Sequence, residues 1–363
     1  MTPAHDAILL LSFGGPEGPD DVMPFLENVT RGRGVPRERL EEVAEQYLQF
    51  GGRSPINDQN EALLEALRAE LDRRGHQLPL YWGNRNWAPY VEDTLARITE
   101  AGHRRVLAVT TSAYSSYSAC RQYHDDIARA VAAVRDAGGD PPQVDKVRPY
   151  WNHPGFVLTM VERVHAALEA MSPADRNRAR LVFTAHSVPL SMAETSDYQA
   201  QLLDEATMIV ERAAAPRTGT ARTDRPADED RGWDLVYQSR SGPPQVPWLE
   251  PDIVDHLHAL HERGDDVVVV VPIGFTSDHM EVVYDLDTQA AAAAAELGMT
   301  MVRAGTVGTH PLFVRGLVDV LDEHLLGRLP AALGALGPRV NPCRPGCCPA
   351  PARPAGRPAT ARP

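Results

Sequence analysis

The sequence predicts an α/β protein in which parallel strands are layered with helices, arranged as two domains. Two observations carry this. Short apolar runs rich in branched residues alternate with longer amphipathic segments along most of the chain, which is how the strands and crossover helices of a parallel sheet read. The length of 363 residues, with 43% hydrophobic side chains, suits two domains of about 150 residues each and supplies full-sized cores.

The first apolar run covers residues 7–13 and reads as a strand, followed by a helix over 20–29. Further apolar runs of strand length lie at 79–83, 105–113, 180–186, 234–239, 266–275 and 299–304. The longer periodic stretches at 59–74, 120–136, 156–171 and 311–326 read as helices. Residues 138–154 carry Gly138-Gly139, Pro141-Pro142 and two more prolines, a concentration of chain breakers that places the lobe boundary there. The expected division is 1–150 and 151–335, followed by a tail at 336–363. Residues 214–231 are polar and nearly free of large apolar side chains, so they read as a surface insertion. The last 23 residues hold seven prolines, four arginines and no acid and cannot build a core of their own.

Composition excludes several functions. The 36 basic and 49 acidic side chains leave a net charge of −13, which disfavours nucleic acid as a partner because phosphate neutralisation supplies most of that affinity. The longest apolar run, 267–272, is far short of the roughly 18 residues of a membrane span. No basic segment precedes the first apolar run, so the expected location is the cytoplasm, without stable membrane insertion. Four cysteines are too few for a disulfide scaffold. Cys120 stands alone, whereas Cys343, Cys347 and Cys348 crowd into the tail.

Ligands of open parallel sheets bind beyond the carboxyl ends of the strands. The run Leu181 to Ala185 ends in His186, and the run Val267 to Val271 leads to Ser277-Asp278-His279-Met280-Glu281. If the two strands are neighbours, His186 and Glu281 face one cleft. There a neutral imidazole accepts protons and a carboxylate raises its basicity and binds a cation. The same residues also read blandly, as a loop-bonding histidine and as an N-cap (Asp278) with a capping box closed by Glu281. Glu281 and Asp285 share a helix face, with Gln289 a turn further on. This row is either a solvated acidic face or a path for a metal ion. Gly14-Gly15-Pro16 makes a tight turn but not a dinucleotide fingerprint, and no P-loop is present. Arg31, Arg33, Arg53 and Arg85 sit beside glycine turns, a placement suited to gripping carboxylates with guanidinium forks.

Several segments together resemble the ferrochelatase family. They are Ser12-Phe13-Gly14-Gly15-Pro16-Glu17, Gly51-Gly52-Arg53-Ser54-Pro55-Ile56, Thr184-Ala185-His186-Ser187-Val188-Pro189, Tyr237-Gln238-Ser239-Arg240-Ser241-Gly242 with Pro247-Trp248-Leu249-Glu250-Pro251, and Pro272 through Glu281. The resemblance runs in order from residue 7 to about 327 and is nearest the actinobacterial branch, which acts on coproporphyrin III. It implies two Rossmann-like lobes, each with a four-stranded parallel sheet, enclosing a porphyrin cleft. It assigns His186 and Glu281 to catalysis and to the metal, and Asp285 to the acidic row. Gln289 departs from a further carboxylate of some members. Phe13 stands where some relatives carry a metal-ligating tyrosine, so it offers only packing. Arg31, Arg33, Arg53, Ser54, Arg85, Tyr123, Trp248 and Phe275 fall on the substrate-binding surface.

The implied reaction inserts Fe²⁺, a substrate, into coproporphyrin III. Tyr117-Ser118-Ala119-Cys120 with the three tail cysteines resembles the ligand set of cluster-bearing members, which implies a [2Fe–2S] cofactor, with zinc as the alternative. Rival activities are a protoporphyrin IX ferrochelatase, a cobalt or nickel chelatase of related fold, and a non-enzymatic tetrapyrrole or metallophore carrier. A transient partner receiving the haem product is also expected.

Overall fold

The computed structural model describes residues 5–32, 34–213, 232–242, 245–344 and 346–350. Arg33, the 214–231 insertion and the tail beyond 350 lie outside the described residues. Two parallel sheets organise the chain. The first holds β1 (Ala7–Ser12), β2 (Leu80–Asn84), β3 (Arg105–Thr110) and β4 (Gln143–Lys146) in the order β2-β1-β3-β4. The second holds β5 (Arg180–His186), β6 (Trp233–Gln238), β7 (Val267–Val271) and β8 (Thr300–Arg303) in the order β6-β5-β7-β8.

Helices of the first lobe are α1 (Pro19–Val29), α2 (Arg37–Leu48), α3 (Ile56–Arg73), α4 (Val91–Glu100) and α5 (Gln122–Asp136). Those of the second are α6 (Pro154–Glu169), α7 (Pro173–Arg178), α8 (Leu190–Ala193), α9 (Tyr198–Ala213), α10 (Ile253–Glu262), α11 (Met280–Tyr284), α12 (Ala291–Glu296) and α13 (Pro311–Leu325). Two widened π-helical turns, Tyr117–Arg121 and Asp285–Ala290, precede α5 and α12.

The sequence explains the central strands directly. Every residue of β1 and of the five-valine β7 is buried, because helices cover both faces of each sheet. In both sheets the first strand lies inside, with the second on one side and the third on the other. That reversal opens a crevice at the carboxyl ends, between β1 and β3 and between β5 and β7. The pairing Phe183↔Val271 makes β5 and β7 neighbours, as a shared site requires.

The expected strands are present, and β4 is an addition to them. It is a four-residue edge strand, Gln-Val-Asp-Lys, inside the segment read as a boundary for its glycines and prolines. Paired on one edge only, it carries no apolar run to announce it. The two lobes also share their largest core. Ile8, Leu10 and Leu107 of the first sheet belong to one apolar cluster with Phe183 and Val269 of the second. Phe156 of α6 and Phe313 of α13 pack edge-on within it, 5.7 Å apart. Close approach of these helices needs Gly155, where an added Cβ would lie 2.8 Å from the Gly316 Cα.

His153 caps α6 by accepting the Gly155 N–H at Nδ1 (3.1 Å), which leaves its proton on Nε2. Burial, reinforced by Arg148, holds the imidazole neutral and lowers its pKa to about 4. The unfolded chain therefore binds a proton that the folded one refuses as pH falls from 6.5 toward about 4. Stability should decline across that window by up to about 1.4 kcal/mol per pH unit, about 3 kcal/mol in all. His153→Asn keeps an acceptor for the cap, and urea unfolding between pH 7 and 5 should show a shallower decline than in the parent. Equal slopes would refute this role.

Candidate active site

His186 is the last residue of β5, in register with Gln238 at the end of β6. Its Nδ1 lies 2.5 Å from the Ser187 carbonyl, which can only accept. One ring proton therefore sits on Nδ1, which leaves Nε2 as the nitrogen that gains or gives up a proton toward the cleft. That Nε2 faces Glu281 Oε1 at 3.6 Å, with the two side chains 32% and 43% exposed along the cleft.

Glu281 sits in the first turn of α11. The cap is His279, whose Nδ1 accepts the Glu281 N–H at 3.2 Å. Asp278, expected as the cap, instead pairs with Arg303 at 3.0 Å, and its backbone N–H and carbonyl are both held by Gln59. The helix thus begins one residue later than the sequence indicates, because a histidine ring also offers a capping acceptor.

Asp285 follows at the start of the π-helical turn and accepts from Ser239 Oγ and, at 3.4 Å, from Gln238 Nε2. The same Gln238 nitrogen reaches the Glu281 carbonyl at 2.9 Å. Ser239 adopts φ = 61°, a left-handed conformation uncommon outside glycine and often found at functional sites. It ends β6 by turning its hydroxyl onto Asp285.

The three groups bias one another. Burial pulls the His186 pKa down, but the charge and contact of Glu281, then Ser187 and Asp285, raise it well above the ordinary imidazole value. Burial pushes Glu281 up, and the facing His186 more than reverses this, so the carboxyl stays ionised well below its usual range. Asp285 is pushed up to about 6 by burial, opposed by the Ser239 bond and assisted by the Glu281 charge. Because the cleft is open to water, solvent screens part of each effect.

Tyr47 of α2, which the sequence reading missed, belongs here. Its hydroxyl is raised by burial and by the charges of Glu281 and Asp285, so α2 brings it to the acidic row from the other lobe. It sits in an amphipathic helix with no flanking motif, and only its edge-on contact with Phe25 at 6.0 Å marks the neighbourhood.

The remaining expected residues divide. Arg31 is exposed and, among the described residues, has no ion-pair partner. Arg53 is half-exposed and already meets Glu17 at 3.2 Å and Asp58 at 2.5 Å. Ser54 is buried, its N–H bonded to the Pro16 carbonyl. Trp248 is half-buried with its indole N–H unpartnered among the described residues. Phe275 is a core residue, 6% exposed, packed edge-on to His279 at 5.0 Å, so it supports the site from behind rather than lining it.

Arg85 is corrected outright. It is 8% exposed, its Nε is bonded to Asp126, and its guanidinium lies 4.6 Å above the Tyr123 ring and 5.7 Å from that of Phe13. Its charge is met internally, and it props two aromatic residues. Gln289 is exposed and ends the acidic row.

The cysteines come together from distant segments. Cys120, in the first π-helical turn, is 5% exposed, and Cys343 is the neighbour that most affects its thiol. Cys347 and Cys348 sulfurs are 3.5 Å apart, and Arg339 Nη2 reaches Cys347 Sγ at 3.5 Å. The Cys343 bond, opposed by burial and assisted by Lys146 and His124, draws the Cys120 thiol pKa far down, while its partner Cys343 rises. A cavity of about 550 Å³ opens beside Asp197, Arg339, Cys343, Cys347 and Cys348. Among the described residues no three or more His, Cys, Asp or Glu side chains are arranged as ligands of one metal ion, and no helix is long and apolar enough to cross a membrane.

The profile of the family described as Ferrochelatase matches residues 5–325, which includes both sheets and every residue of the cleft. The chain belongs to the ferrochelatase family. It is 52% identical to the coproporphyrin III ferrochelatase of Streptomyces coelicolor over 95% of this chain and 94% of that one. It is also 52% identical to the coproporphyrin III ferrochelatase of Nocardia farcinica, over 97% and 99%. Among solved structures it is similar to SirB from Bacillus subtilis with Fe³⁺, at 12% identity, a TM-score of 0.49 and coverage of 88% and 95%.

Arg85 and Asp126 give this family member a testable buried pair, each side chain 5% exposed. Arg85→Met leaves Asp126 with only Arg129, at 2.9 Å, and should cost about 2 kcal/mol in urea unfolding. Adding Asp126→Leu should recover most of that loss. A variant of parent stability that loses porphyrin affinity would return Arg85 to the substrate.

Proposed function

We propose that the chain inserts Fe²⁺ into coproporphyrin III in haem biosynthesis. The observation that carries this is the His186–Glu281 pair, an imidazole whose Nε2 lies 3.6 Å from a carboxylate, at the carboxyl ends of adjacent strands. The two relatives reported above support the substrate.

Insertion replaces two pyrrole protons with one dication, so the site must accept protons and guide a cation. At neutral pH the raised His186 pKa makes the resting pair an imidazolium facing a carboxylate. Fe²⁺ arriving by way of Asp285 at Glu281 brings positive charge beside the ring, which lowers its proton affinity and releases the Nε2 proton. That proton passes to water in the open cleft, and the neutral ring then takes the two pyrrole protons in turn at Nε2, handing the first to water before accepting the second. Bending the macrocycle to expose its nitrogen lone pairs draws on binding energy from the rest of the ligand. Arg31 is the guanidinium best placed for a propionate, since Arg85 is engaged by Asp126 and Arg53 is shared between Glu17 and Asp58.

The test is anaerobic turnover with Fe²⁺, followed by the absorbance change of coproporphyrin III and, in matched detergent, of protoporphyrin IX. kcat/KM should be higher for coproporphyrin III, with the gap narrowing by about threefold in Arg31→Ala and shrinking with salt, as exposed pairs do. His186→Ala should lose turnover while porphyrin binding stays within about threefold, and Asp285→Asn should chiefly raise the Fe²⁺ requirement. Equal use of protoporphyrin IX would overturn the substrate, and near-normal turnover of His186→Ala would overturn the site.

We further propose that Cys120, Cys343, Cys347 and Cys348 hold a [2Fe–2S] cluster. Support comes from the pairwise closeness of these thiols, Cys120 to Cys343 and Cys347 to Cys348, and from the cationic Lys146 and Arg339 beside them. Such surroundings suit a site of four thiolates, the donor set the cluster requires. When bound, the cluster would fasten the tail to the first lobe through iron–sulfur bonds. Anaerobically purified protein should be red-brown with about two iron and two sulfide per chain, and Cys120→Ser should lose the colour. Colourless protein carrying stoichiometric zinc would reject the cluster.

A further inference from the structure

Tyr198, Gln201 and Glu205 recur on one face of α9 at helical spacing and are 4%, 0% and 0% exposed. Polar side chains buried this deeply cost stability unless each finds a partner, and each here has one on a different segment. The Tyr198 hydroxyl donates to the His186 carbonyl at 3.1 Å. The Gln201 carboxamide accepts the Ser115 N–H at 2.8 Å and donates to Ser115 Oγ at 2.9 Å. Glu205 meets the Tyr114 hydroxyl, which lies 2.8 Å from the Ile273 carbonyl. A carbonyl only accepts, so Tyr114 gives its single proton to Ile273 and Glu205 supplies its own, consistent with a carboxyl raised well above its usual range by burial.

This ridge runs between the cysteine-bearing segments and His186. Ser115 adjoins Ser116, whose Oγ caps the Cys120 turn by accepting the Ala119 N–H at 3.0 Å. Asp197, whose carbonyl accepts the Gln201 N–H at 2.9 Å, pairs with Arg339, and Arg339 also reaches Cys347. The Arg339–Asp197 pair is 30% and 49% exposed and carries little by itself. The buried Gln201–Ser115 clamp is the stiffer connection.

At the far end, Tyr198 fixes the His186–Ser187 peptide, and the Ser187 carbonyl is the group that holds the imidazole Nδ1. Ring orientation is therefore set by the Ser187–Val188 peptide, which directly follows the one that α9 holds.

We propose that α9 is a strut through which the cysteine-bearing loop and tail position His186, with Tyr198, Gln201 and Ser115 as positioning residues. This rests on the reading of His186 as the proton acceptor.

In the intact holoenzyme, Tyr198→Phe should lower kcat about tenfold with the porphyrin KM within about twofold, since small misplacement of a reacting group acts on the chemical step. Ser115→Ala, which keeps the backbone half of the clamp, should lower kcat alone and by less. The double variant should be no slower than Tyr198→Phe. An unchanged kcat in Tyr198→Phe while His186→Ala is inactive overturns the strut, as does full additivity in the double variant.

Hydrogen–deuterium exchange of the backbone amides in 186–193 gives a readout independent of turnover. Exchange should rise in Tyr198→Phe and also in Cys120→Ser, and unchanged exchange in both overturns the strut. If His186→Ala keeps its turnover, the site reading fails instead, and the exchange result alone then decides the strut.

Discussion

The His186–Glu281 contact depends on two sheet ends being held side by side. The imidazole is delivered by the last residue of β5 and the carboxylate by a helix that starts nine residues beyond β7, so only the parallel pairing of these strands makes them meet. Around the pair, polar groups are spent on orientation. His279 caps the helix bearing Glu281, Gln238 holds its carbonyl, and Ser239 takes a left-handed backbone to reach Asp285. The result is a graded set of proton affinities, with an ionised Glu281, an Asp285 that titrates near 6 and a His186 that keeps its proton at neutral pH until positive charge approaches. Such separation of neighbouring titratable groups lets one site pass a cation inward and protons outward.

Bending a flat, rigid macrocycle requires walls stiffer than the ligand, and the packing supplies them. The two lobes share one large apolar cluster, so the cleft is bounded by parts of a common core. Polar clamps cross the same boundary. Gln59 grips the backbone of Asp278, and Arg74 and His76 converge on the fully buried Asp322 of α13. Close-packed interiors transmit strain instead of absorbing it. Contacts remote from the reacting nitrogens can therefore be spent on distortion.

What was legible in the sequence follows from how local each signal is. Strands such as β1 and β7 announce themselves because both faces are buried, and His186 and Glu281 because they follow such strands. β4 was not legible: its four residues lie on one sheet edge among turn formers, and pairing with β3 alone makes it a strand. Arg85 was misread because an arginine beside a glycine turn looks the same whether its partner is a ligand or, as here, Asp126 forty-one residues away. Phe275 was misread for a similar reason, since an aromatic residue near a site can face either way. Tyr47 was missed because its position depends on how α2 packs across the cleft, which no local pattern encodes.

The charge distribution makes a related point about the tail. Of the 36 basic residues, Lys146 is the single lysine, and it is 6% exposed at the end of β4, its ammonium 3.0 Å from the Val147 carbonyl. Everywhere else the chain uses arginine, whose planar fork suits the paired carboxylates it meets at Glu70, Asp234 and Glu323. Beside Cys120 and Cys343 the requirement differs, because sulfur is large and offers no planar pair of acceptors. A compact ammonium can meet them from a buried position with one donor still bonded to backbone. Asn341 ties the tail to the Lys146 carbonyl at 3.0 Å, so the buried cation near these sulfurs also marks where the tail lands. The described part of this tail, which has no core of its own, is thus held by polar and sulfur contacts at a few points. Its order depends on the chemistry of those points more than on buried apolar area.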